Sequence, residues 1–238
     1  MRRILLTNDD GIASDGLIRL AREAKRFGEV WIVAPHSQRS AASHCITLHD
    51  TIDIIPYDYP VDGVRAFSCS GMPADCIRVG ALSVMPALPE VVISGINYGY
   101  NVASDVQYSG TVGAAFEAAF QGICGIALSE CDKGHEVTDQ MLGAILKELM
   151  GKTPAPGHIF NVNFPGCSME EYRGILYDRT VSRGMIYKDH YNLVGNLEGG
   201  GTRWMVEGVY NEEAEEGSDY RALLDGYISI SEIRNLGY

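Results

Sequence analysis

Near its start the chain carries Asn8, Asp9, Asp10 and Gly11 directly after the apolar run Ile4, Leu5, Leu6 and Thr7. A run of this kind reads as a buried parallel strand, which would deliver Asn8, Asp9 and Asp10 to the carboxyl edge of a sheet, where open α/β folds bind their ligands. Adjacent carboxylates repel, more strongly at a desolvated edge, so both stay ionised only where a cation or several donors compensate. A hard divalent metal with oxygen ligands is the simplest compensation. The same residues can instead form an Asx-type turn that caps the next helix.

Three later stretches could serve the same edge. The loop His36–Ser43 follows a second apolar strand and carries Ser40, whose hydroxyl is either a site group or an ordinary N-cap. The run Glu90–Ser94 passes into Gly95, Ile96 and Asn97, where Asn97 offers an amide oxygen or simply makes a turn. Ser109, Gly110 and Thr111 precede a helix rich in small residues. Such a start presents free N–H groups, two hydroxyls and the positive helix end, which suits a phosphate, although Ser and Thr are also common caps.

The elements that must position these residues alternate. Helical spacing predicts a helix over 15–27, stopped by Gly28, between strands at 4–7 and 30–34. A partly alternating strand is predicted over 46–55, a helix from Pro73, strands at 90–94, 125–129 and 159–164, and helices from 112 and over 137–150. This order predicts an α/β fold with a Rossmann-like layered core and a mainly parallel sheet over 1–165. Beyond Pro165 the pattern changes, with glycines at 195 and 199–201, an acidic run over 212–216 and strand-like runs at 203–210 and 226–231. Residues 166–238 are therefore read as a β-rich hairpin or oligomerisation extension with one strand returning to the core.

Composition narrows the partners. The 238 residues suffice for one large domain, and 46% hydrophobic with 21% charged residues is a globular balance. The net charge of −12, with only 19 dispersed basic residues, argues against duplex nucleic acid as a partner. No apolar run is long enough to span a bilayer and no signal-peptide pattern opens the chain, so it is read as cytoplasmic with no membrane partner. The six cysteines form no CxxC pair, which suggests neither a zinc site nor a disulfide scaffold, and Cys124 reads as core filler.

Taken together, TNDDG after the first strand, APHSQRSAAS, SGMPADC, VVISGINYG and YSGTVGAA stand in the order and spacing of the SurE family, and NVNFP and DGYISIS fit the same pattern. The chain resembles that family over its whole length. The resemblance implies a divalent-metal-dependent phosphomonoesterase acting on nucleoside monophosphates, a 5′-nucleotidase with 3′-nucleotidase or exopolyphosphatase activity left open. It implies one Mg²⁺ or Mn²⁺ ion per subunit on Asp9, Asp10, Ser40 and Asn97, and phosphate contacts from Ser109, Gly110, Thr111, Gly95 and Asn8. Asp9 and Asn8 are the implied catalytic residues, Asp9 as base or orienter for water or as covalent phosphoacceptor. A homodimer or homotetramer is implied through the hairpin.

Two positions depart from the family pattern. His36 stands where an acid is common, and the chain ends at Tyr238 where many relatives continue into a helix, which puts that helix's contacts in doubt. A receiver-type phosphoacceptor domain would need an aspartate ending its third strand and a lysine ending its fifth, and the comparable strands end in Ser94-Gly95-Ile96-Asn97 and Ser129-Glu130. A non-catalytic nucleotide sensor on the same fold is the alternative reading. It lacks GxGxxG after the first strand, where a carboxylate pair would repel a pyrophosphate unless a metal intervened.

Overall fold

The computed structural model describes residues 1–235. The expectation tied to the chain's end at Tyr238 lies outside the described residues. In order, the elements are β1 (Arg3–Thr7), α1 (Asp15–Ala24), β2 (Glu29–Pro35), β3 (Ile54–Tyr57), β4 (Arg65–Cys69), α2 (Pro73–Val79), β5 (Val91–Tyr98), α3 (Asp105–Tyr108), α4 (Gly110–Phe120), β6 (Cys124–Glu130), α5 (Glu136–Leu149), β7 (His158–Phe164), β8 (Gly174–Tyr177), β9 (Tyr187–Asn196), β10 (Thr202–Tyr210), α6 (Asp219–Leu224) and β11 (Tyr227–Arg234). Among these no helix is long and apolar enough to cross a membrane.

Nine strands form one sheet in the order β3-β4-β2-β1-β5-β6-β7-β11-β8. From β4 to β7 every pairing is parallel, and β3 and β11 pair antiparallel with β4 and β7. Side chains alternate between faces along each strand, so the all-apolar runs are buried twice over. Ile4 and Leu6 of β1 join Leu17, Leu20, Leu142 and Ile145 of α1 and α5 on one face. Leu5 between them joins Val33, Ile77, Ala114 and Ala118 beside α2 and α4 on the other.

The chain steps from β1 outward through β2 to β4, then returns to lay β5 on the opposite side of β1. The strand order therefore reverses between β1 and β5, and a crevice opens outside the carboxyl ends of strands at such a reversal. Asp9 follows β1 and Asn97 lies at the end of β5, so the two candidate ligand stretches flank the switch point.

Three local readings change. Of the strand expected over 46–55 only Ile54 and Ile55 pair, as the start of β3; Thr47 is instead fixed by its N–H and hydroxyl to the buried Asp75 carboxylate of α2, and the segment runs irregularly. The helix expected to reach residue 27 ends at Ala24 and closes with turns at Arg26 and Phe27. Short β4, β8 and α6 are unmarked by periodicity; β4 lies between β3 and β2, β8 forms a sheet edge and α6 belongs to the tail.

Within 166–235, β8 and β11 extend the main sheet, while β9 and β10 form a separate antiparallel hairpin with nearly every residue exposed. The hairpin is anchored at its base. Asn211 donates from its backbone to the Ile186 carbonyl and from its side chain to the Met185 carbonyl, at 2.8 Å each. Ile186 packs with Val102, Ala103, Tyr220 and Leu223 in a small core of its own. Beneath it Asp219 accepts N–H bonds from Ser182 (2.9 Å) and Tyr220 (2.7 Å), and burial nonetheless pushes its carboxyl up to about 6.

A carboxyl that ionises less readily folded than unfolded stabilises the fold below its unfolded pKa, and this contribution is lost as pH rises to about 6. Urea unfolding of the native chain and Asp219→Asn should therefore show a native advantage that shrinks by about 1–3 kcal/mol between pH 4 and pH 7. A gap that is constant with pH would contradict the burial assigned to Asp219.

Candidate functional site

The acidic turn is built from both sides. Gly11, at φ +99°, turns the chain where a Cβ would press on the Ser37 backbone at 3.4 Å, so the loop after β2 can lie against it. That loop is tied down by Ile12 N–H to the Pro35 carbonyl (2.8 Å) and by Arg39 N–H to the Asp9 carbonyl (2.7 Å). Ser40, one residue on, is thereby brought to the wall of the crevice.

Asp9 is 5% exposed and, among the described residues, held by one side chain, Thr111: the hydroxyl donates to Oδ1 (2.8 Å) and the backbone N–H to Oδ2 (3.2 Å). The start of α4 is shaped for this approach. Ser109 caps the helix by accepting the Val112 N–H at 3.0 Å, and a Cβ on Gly110 would stand 3.1 Å from the Asp9 carboxylate. Asp10 accepts the Tyr98 N–H (3.1 Å) and a long bond from the Gln38 amide (3.4 Å).

These donors do not neutralise the pair. Burial, and next the charge of Asp10, push the Asp9 carboxyl up to about 6, and burial likewise raises Asp10. Among the described residues neither carboxylate has a Lys, Arg or His partner. Arg19, on α1, is committed to Glu130, Asp15 and Asp139. An acidic pair, one member buried and the other half-buried, with partial hydrogen bonding and no such partner gains from a cation.

Asp9, Asp10, Ser40 and Asn97 line one cavity of about 790 Å³. The Asn97 amide nitrogen donates to the Gly99 carbonyl at 2.8 Å, so its Oδ1 is the atom that could face a ligand. Among the described residues no cluster of three or more His, Cys, Asp or Glu is arranged to hold a metal. Two carboxylates, a hydroxyl and an amide oxygen at this wall are hard oxygen donors that could hold a divalent cation.

The other sequence-selected residues lie differently. Ser109 lines the cavity, whereas Thr111 is fully buried with both donors on Asp9. Gly110 stands behind Asp9, and its N–H is the donor at this helix end that those bonds leave over. Asn8 is fully buried; its amide donates to the Gly11 carbonyl (3.0 Å) and Ser14 Oγ (2.7 Å), while its Oδ1 has no partner among the described residues. Gly95, at φ +143°, is buried where a Cβ would meet the Leu128 carbonyl at 2.4 Å. His36 is outside the cavity wall, its ring Nδ1 3.3 Å from the Cys69 carbonyl.

Sequence reasoning missed much of the remaining wall. Asn101, after β5, is fastened by Asn163 Oδ1 to its N–H (2.8 Å) and by the Asn161 and Asn163 amides to its carbonyl (2.9 and 3.2 Å). The NVNFP stretch thus shapes the site from β7, and buried asparagines within an apolar strand were the available signal. Tyr100, Lys133, Tyr187 and Tyr210 also reach the cavity, the last two from the hairpin base.

The family model for "Survival protein SurE" matches residues 4–186. The chain is 35% identical to "5'-nucleotidase SurE" of Synechococcus sp. (strain JA-3-3Ab) over 97% of its own length and 91% of that protein's. It is 37% identical to the protein of the same name from Gemmatimonas aurantiaca, over 96% and 91% respectively. The crystal structure of the Sure protein from Aquifex aeolicus superposes with a TM-score of 0.82 at 30% identity, covering 98% of this chain and 94% of that one. By family model, sequence and fold alike, the chain belongs to the SurE family.

Proposed function

We propose that this chain is a divalent-metal-dependent 5′-nucleotidase that hydrolyses nucleoside monophosphates to nucleoside and phosphate. One observation carries the reading: a carboxylate pair, Asp9 buried and Asp10 half-buried, with no counter-charge among the described residues, set at the switch point of the sheet against the start of α4, inside a cavity much larger than a phosphate needs. Membership of the family and relatives named 5'-nucleotidase support it. The sensor alternative has no observation in its favour, since every implied ligand position is retained.

Asp9, Asp10, Ser40 and Asn97 would hold one Mg²⁺ or Mn²⁺. Such an ion supplies charge neutralisation for the phosphoryl oxygens and electrophilic help for in-line attack. The chain's own part is positioning. Thr111 fixes the Asp9 carboxylate by two donors, so that its orientation need not be bought from disorder at each turnover. Asp9 orients the attacking water and takes its proton. Ser109 and the Gly110 N–H meet phosphoryl oxygens at the positive end of α4. Gly95 serves the site through the close β5–β6 packing its lack of a side chain permits, and Asn8 by bracing the acidic turn from below.

Residues 1–165 form the catalytic core in this reading and 166–238 the extension that joins subunits in the cytoplasm. An isolated two-stranded hairpin is marginal in water, and Tyr191, Leu193, Trp204, Met205 and Val206 are each more than half exposed on this one. A second copy of the chain is the occupant proposed for that surface, giving a homodimer or homotetramer.

Asp9→Asn should lower phosphate release from nucleoside 5′-monophosphates by about a thousandfold or more at saturating Mn²⁺, with the circular dichroism spectrum unchanged. Activity within tenfold of the native chain would remove Asp9 from the reaction. Thr111→Val keeps the side-chain shape but deletes the hydroxyl bond, and kcat should fall about 10- to 100-fold with weakened Mn²⁺ affinity. An unaltered kcat and metal titration would show that Asp9 needs no such support.

A further inference from the structure

The cavity has two chemically distinct ends. The sheet-edge end carries the oxygen donors Asp9, Asp10, Ser40, Asn97 and Ser109. The far wall comes from the loop after β6 and the base of the hairpin, and is aromatic. Tyr187, the first residue of β9, and Tyr210, the last of β10, are a directly paired couple in the hairpin register. Their rings meet edge to face, with centroids 5.7 Å apart and planes at 64°. Lys133 reaches to 5.5 Å from the Tyr210 centroid.

Both rings remain 41–43% exposed although they line a concavity. Their backbone is rigidly placed: Asn211 and Ile186 bond across the foot of the hairpin, and Ile186 is buried in the tail's core. Exposed aromatic faces held on a fixed ladder at the edge of a cavity are a stacking platform, since every flat π-system can lie against them. A phosphate has no use for such a wall.

Charge decides what kind of group belongs there. Asp105, Asp132, Asp189 and Glu212 also line the cavity, and Lys133 is the one cationic side chain among the residues lining it. Further anionic groups are repelled, whereas a flat uncharged ring and hydroxyl or amino donors are welcome. The volume of about 790 Å³ leaves ample room for such a group beside a phosphate.

We propose that Tyr187 and Tyr210 form the nucleobase subsite, so that the hairpin base sets substrate specificity by stacking the base while the sheet edge handles the phosphate. The inference rests on the nucleotidase reading and names the part of the substrate that reading leaves unassigned. The two tyrosines touch the base and take no part in the transfer of the phosphoryl group.

The test compares adenosine 5′-monophosphate with ribose 5-phosphate, the same ester without its base, in the native chain, Tyr187→Ala, Tyr210→Ala and the two Phe variants. For adenosine 5′-monophosphate, KM should rise about tenfold in each Ala variant with kcat unchanged, and Phe should restore it. KM for ribose 5-phosphate should not move. In parallel, calorimetric binding of adenosine to the metal-free protein should weaken about tenfold in the Ala variants and not in the Phe variants. Equal losses for both esters, or no change for either, would overturn the subsite. If the native chain hydrolyses neither ester, the nucleotidase reading fails by itself, and adenosine binding still decides whether the tyrosines hold a base.

Discussion

Everything at the sheet edge depends on two carboxylates that the fold brings together and does not neutralise. Placing Asp9 and Asp10 at the end of a strand buried on both faces costs solvation, and burial is the first cause of the raised pKa of each. The surrounding chain offers donors rather than charge: Thr111 to Asp9, Tyr98 and Gln38 to Asp10. Arg19, the guanidinium on the following helix, is turned to Glu130 instead. A fold built for stability alone would have apolar residues here, so the pair is a place where local stability is given up, as the cation site proposed above requires.

The rest of the architecture serves to hold that pair in one geometry. The crossover that returns β5 to the side of β1 opens the crevice, and the loop after β2 is drawn over it by Arg39 N–H on the Asp9 carbonyl. From below, α4 presents its first turn to the Asp9 carboxylate, and a Cβ at position 110 would be tight against it at 3.1 Å. From the far side, buried Asn161 and Asn163 lock the Asn101 loop. The site is assembled from five separate strand ends and helix starts, which is why its precision comes from the sheet rather than from any one loop.

The core was legible in the sequence because its strands are buried on both faces and so read as unbroken apolar runs: Ile4–Leu6, Val30–Ala34, Val91–Ile93 and Gly125–Leu128 all became strands. The reading failed where burial is one-sided or absent. Ile46, Leu48 and Ile52 alternate like a strand, yet this segment is governed by Asp75, a contact no local pattern reveals. In β4, RAFSC mixes polar and apolar residues and joins the sheet through its neighbour β2. The oxygen donors at the sheet edge were legible because they end strands. Tyr187 and Tyr210 were not, because they reach the cavity through the tertiary anchoring of the tail.

The central claim, that the carboxylate pair is a hard-cation site, is tested most directly by Mn²⁺ titration of chelator-stripped protein at pH 7, followed by calorimetry and electron paramagnetic resonance. One ion should bind per chain, be displaced by excess Mg²⁺, and be lost in Asp10→Asn. A protein that binds no Mn²⁺, or binds it equally well without the Asp10 charge, would contradict it.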